Sequence, residues 1–148
     1  MYSPRSTALV SGIATAAAMA IGIAVQISRS STPDALPPAF AVGASTISAL
    51  IAGIVIAVAV RIGLLLASCR QLAVRFVLFI AAVNVVLLGI LVCTPVKTHA
   101  IKLDLPSGQL SPPEAPITFW LTIVAALLVP VLLAYIVGRI SRGRADVA

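Results

Sequence analysis

Residues 38–61 read PAFAVGASTISALIAGIVIAVAVR. No charged side chain interrupts this run until Arg61 closes it. At about 1.5 Å per residue, a helix of this length crosses the roughly 30 Å hydrocarbon core of a bilayer. The run also places a small residue at every fourth position: Ala41, Ser45, Ala49, Gly53 and Ala57. On a helix this spacing makes one continuous ridge without bulky side chains, along which a second helix can approach closely. These five residues are the candidate helix-packing face. The other apolar stretches of the chain read as neighbours of this one in a bundle.

Composition sets the solvent. The chain has 148 residues, of which 61% are hydrophobic and 9% charged, where a soluble domain carries about a quarter charged residues. A soluble fold of this size has too little interior to hide so much apolar surface, and the excess points to lipid. The net charge of +6 does not point to nucleic acid. That reading needs a basic patch interleaved with polar or aromatic readers, and here the few aromatics lie at the span ends.

Working outward, residues 7–27 form a first apolar stretch rich in alanine and glycine, with small-residue rows Ala14, Ala18, Gly22 and Ala16, Ala20, Ala24. A rival reading is a signal peptide, because Ala18-Met19-Ala20 resembles a cleavage site. The thin basic start and the continued apolar run speak against it. Residues 28–38, SRSSTPDALPP, are a loop by composition. After Arg61 the chain stays apolar as far as Cys69. The second span therefore covers 39–61 and extends toward 69, either as a tilted helix or with a bend at Gly63. The third span is 72–92 and the fourth 117–137, with Pro130 inside it. Between them, residues 94–116 hold five prolines and an alternating segment, HAIKLDL over 99–105, followed by Pro106-Ser107-Gly108. That pattern predicts a small β-hairpin lying on the outer membrane surface. The expected fold is an all-α integral membrane bundle of four transmembrane helices.

Charge orients the bundle. Arg5, Arg61, Arg70, Arg75, Arg139, Arg142 and Arg144 fall on one side, and Arg29, Lys97 and Lys102 on the other. Basic residues in short flanks favour the cytoplasm. The expectation is a multi-pass protein of the plasma membrane with both termini cytoplasmic and the arginines contacting anionic lipid headgroups. Arginine outnumbers lysine eight to two, which fits a GC-rich bacterial genome.

Chemistry-bearing residues are few. Arg61 is a candidate functional polar residue if it lies within the membrane, although a basic side chain near a helix end commonly snorkels to the interface. Asn84, well inside span three, can bond a neighbouring helix or touch a ligand. Cys69 falls at the inner end of span two and Cys93 at the outer end of span three, a membrane apart, so they cannot pair with each other within one chain. His99, the sole histidine, has no partners for a metal site. No Asp or Glu lies inside a span, and no nucleotide or catalytic motif occurs. The sequence therefore leads us to expect no cofactor, no metal and no enzyme. It predicts an accessory or assembly subunit that packs through its helix faces with another membrane protein or with itself. The alternative is a small-solute transporter or channel formed by an oligomer.

Overall fold

The computed structural model describes residues 1–29, 38–93 and 117–145. It is all-helical, with α1 over Pro4–Arg29, α2 over Pro38–Leu66, α3 over Val74–Cys93 and α4 over Ile117–Ala145. Three segments are long and apolar enough to cross a membrane: Pro4–Val25, Ser45–Leu66 and Ile123–Gly143. The apolar part of α3, Val74–Ile90, is shorter. No strand occurs among the described residues, and the hairpin expected within 94–116 lies outside them.

The helix ends have local causes. Ser3 caps α1: the Ser6 backbone N–H donates to the Ser3 hydroxyl at 3.2 Å, and Pro4 fills the first helical position, where its missing N–H costs nothing. α1 runs unbroken through Ala18-Met19-Ala20. α2 also begins on a proline. It continues without a break in the helix past Arg61 and Gly63 to Leu66, where the chain closes in a Schellman motif. The Cys69 N–H donates to the Leu64 carbonyl and the Ser68 N–H to the Leu65 carbonyl, at 3.1 and 2.9 Å. Ser68 takes the left-handed conformation this motif requires, at φ 54°, in the place where glycine is usual.

The short 67–73 connection turns the chain directly into α3. Leu72 pairs with Tyr2 in an antiparallel bridge through two hydrogen bonds of 2.9 Å. The start of α1 and the start of α3 are thus fixed at one end of the bundle. α4 brings its C-terminal half to the same end, because Gly138 lies against Ala67 and Cys69. α2 is central, packed by α1 on one side and α4 on the other, and α3 closes against α1 and α4.

The interior and exterior reverse the pattern of a soluble protein. Val60, Leu64, Leu72, Ile80 and Ala134 are fully buried at the end where α2 finishes. Along α1 the buried positions are small or hydroxylated: Thr7, Ala8, Ser11 and Thr15. The outward faces carry Leu9, Ile13, Ile54, Leu66, Leu121 and Leu132, each more than half exposed. In lipid, large aliphatic side chains lose nothing by facing out, while close helix approach rewards small ones inside.

Candidate intramembrane sites

The five ladder residues of α2 fall in different surroundings. Gly53 meets Gly12 of α1: a Cβ on Gly53 would lie 2.8 Å from the Gly12 carbonyl oxygen and 2.9 Å from the Ala16 Cβ. A Cβ on Gly12 would lie 2.9 Å from the Ala57 Cβ. Ala49 is buried, at 4% exposure. Ser45 sits farther out, where its hydroxyl donates to the Val42 carbonyl at 2.8 Å. Of Ala41 only the backbone is described. The α1 counterpart is the row Ala8, Gly12, Ala16. Gly12 extends the alanine row of α1 by one four-residue step, and that periodicity was the signal for it.

Beyond the Gly12–Gly53 contact the two helices diverge. They leave a groove of about 740 Å³ whose walls include Ala17, Ala20 and Ala24 of α1 and Ser45, Thr46 and Leu50 of α2. One wall is almost entirely alanine, so the groove is shallow-sided and admits close backbone approach.

α1 also carries a stripe that escapes a reading by hydrophobicity. Thr7, Ser11 and Thr15, four residues apart, are all fully buried. Thr7 and Thr15 donate their hydroxyls to the carbonyls of Ser3 and Ser11 at 3.0 and 2.8 Å, within their own helix. The spacing alone could have revealed this stripe.

Arg61 lies on the exposed face of α2, between buried Val60 and Gly63 and about one turn before the helix ends. It shares the basic end of the bundle with exposed Arg5, Arg70, Arg75, Arg139 and Arg142. Two of these rest on aromatic faces: Arg75 is 5.1 Å from the Phe76 ring centroid and Arg139 5.6 Å from that of Tyr135. The Arg139 Nε also donates to the Tyr135 hydroxyl at 3.2 Å. Gly63, two residues after Arg61, is a close contact with α4. A Cβ there would collide with the Val131 carbonyl oxygen and the Ala134 Cβ of α4.

Asn84 lies ten residues into α3, about 15 Å along the helix. It is 2% exposed, and neither its Oδ1 nor its Nδ2 has a hydrogen-bond partner. It lines a cavity of about 230 Å³ between α2, α3 and α4, with Ala52, Leu88, Ala126 and Pro130 among the other walls. Thus the structure separates the two polar candidates: Arg61 belongs to the basic end and Asn84 to an apolar cavity at mid-helix.

Among the described residues no group of His, Cys, Asp or Glu is arranged to hold a metal. Cys69 is buried in the 67–73 connection. It follows α2 directly, whereas Cys93 ends the 20-residue α3, about 30 Å away along the helix. No protein-family model matches the chain, and no curated protein or solved structure matches it significantly.

Proposed function

We propose that this chain is a non-enzymatic integral membrane protein of four crossings that serves as an accessory or assembly subunit, seating a transmembrane helix of a partner protein in the α1–α2 groove. The observation that carries this reading is the continuity of the groove with the Gly12–Gly53 contact. The same small-residue rows that hold α1 on α2 run on, through Ala20 and Ala24 and through Ser45, into a part that none of the described residues fills. From Ile13 to Ala24 the groove follows α1 for about 18 Å, or three helical turns.

Connectivity supports the count of four crossings. α2 finishes beside the C-terminal half of α4, so α3 has to carry the chain back across before α4 can begin. The described arginines gathered at that end support a cytoplasmic placement for both termini, against anionic headgroups. A reporter active only outside the membrane should be silent when fused at Ala148 and active at Gly108.

Filling the groove tests the partner. Ala20→Leu and Ser45→Leu should leave accumulation in the membrane normal but reduce the complex extracted in mild detergent to the mass of the isolated chain. Ile21→Leu, on an exposed face, should leave the complex intact. An unchanged complex in both groove variants, or a complex built only of copies of this chain, would overturn the proposal.

A further inference from the structure

We infer that the cavity between α2, α3 and α4 is a binding site for a small neutral lipophilic molecule, a ring or short chain bearing one hydroxyl group, anchored by the Asn84 amide.

The argument begins with what the cavity lacks. Asn84 presents two N–H donors and a carbonyl acceptor, all without partners at 2% exposure. An unsatisfied buried amide is costly and uncommon in a native interior. Pro130, which has no N–H to complete the helix pattern of α4, lines the same cavity as Asn84. The two donors and the acceptor of Asn84 therefore border a space that offers them no partner.

Water fills such a space only in part. At about 30 Å³ per molecule, and with two to four polar partners needed for each, one or two waters suit the Asn84 end. The rest of the 230 Å³ is walled by side chains such as Ala52, Val55 and Leu88. An apolar space of that kind stays dry, and one of roughly 150 Å³ is known to admit benzene. A ring with a hydroxyl matches both halves: its body fills the apolar part, and its O–H both donates to an acceptor and accepts from Nδ2. Charge is disfavoured, because no ionisable side chain among the described residues borders the cavity to balance it. The route of entry is lateral, from the lipid, since Ile90 and Val129 at the rim are exposed.

The test uses para-fluorophenol and para-fluorotoluene, which share a ring and differ in the hydroxyl, with fluorine NMR on the full chain in lipid nanodiscs. Para-fluorophenol should give a protein-bound signal, and Asn84→Leu should weaken its affinity about tenfold, the value of one good hydrogen bond. The weaker binding of para-fluorotoluene should change little. Asn84→Leu removes the unpaired amide at similar volume and so should fold. Ala52→Leu, which narrows the cavity and leaves Asn84 in place, should weaken both probes. The inference is overturned if para-fluorophenol gives only the signal seen in empty nanodiscs. It is also overturned if Asn84→Leu binds para-fluorophenol as the wild type does, or if Ala52→Leu leaves both probes unaffected.

Discussion

Gly12 and Gly53 face each other so closely that a methyl group on Gly12 would lie 2.7 Å from the Gly53 carbonyl oxygen, and one on Gly53 would lie 2.8 Å from the Gly12 carbonyl oxygen. The obstacle in both directions is main chain, which cannot swing aside. Either helix must then withdraw along its whole length. Gly53→Leu should therefore destabilise the bundle by about 1–3 kcal/mol or more, the usual cost of overpacking. Ile54→Leu, one residue on and 62% exposed, should be nearly silent. Thermal unfolding in detergent measures both. Equal melting temperatures for the two variants would remove the α1–α2 contact from the account.

The remaining glycines separate by surroundings. Gly63→Ala should be as damaging as Gly53→Leu, because its new methyl meets the Val131 carbonyl oxygen and, at 2.7 Å, the Ala134 Cβ. Gly89→Ala should stabilise by up to about 1 kcal/mol, since nothing lies within 4 Å of the added methyl and alanine is the better helix former. The same melting experiment compares them, and a stabilised Gly63→Ala would contradict the α2–α4 packing.

Ser68 holds a left-handed conformation that costs a side-chain-bearing residue about 1–2 kcal/mol. It is exposed and its backbone already completes the helix stop. Ser68→Gly should raise stability by about 1 kcal/mol, and Ser68→Val should lower it. If Ser68→Gly melts below the wild type, the strain assigned to this turn is absent.

Burial in the 67–73 connection pushes the Cys69 thiol above its ordinary value, against smaller opposing effects from hydrogen bonds with the Gln71 backbone and the Ser141 side chain. The folded state thus favours the neutral thiol. Its contribution to stability is present below the ordinary thiol range and is lost as pH rises through the raised folded value. In a Cys93→Ser background, alkylation by iodoacetamide should be slower for folded than for unfolded chain at pH 8. The folded rate should still be climbing at pH values where the unfolded rate has levelled. Identical pH profiles would refute the shift.

The four helices are legible in the sequence because lipid makes length and continuous apolarity the signal, as in 38–61. Their ends are less so. α4 runs on to Ala145, beyond the apolar stretch closed at Val137, because arginine is a good helix former and Arg139 and Arg142 reach the surface without breaking the backbone pattern. Gly63 reads in the sequence only as a bend point, and its role as a contact depends on the approach of α4. Asn84 is visible as a lone polar residue, but the cavity it faces depends on how α2, α3 and α4 sit in register. That register comes from side-chain packing among distant segments and leaves no local periodicity.

The Tyr2–Leu72 bridge has a mechanical consequence. A load applied at Met1 does not pass first into α1; it reaches the two hydrogen bonds that tie Tyr2 to Leu72, and through them the connection ahead of α3. Those two bonds are the whole of the antiparallel pairing there. Tension at the amino end therefore meets a weak clasp, and the first element released is the anchorage of α1 to the α2–α3 turn. In synthesis the order is reversed. Tyr2 emerges long before its partner, so the clasp can close only after seventy further residues have been made, and the start of α1 gains its fixed position only when α3 begins.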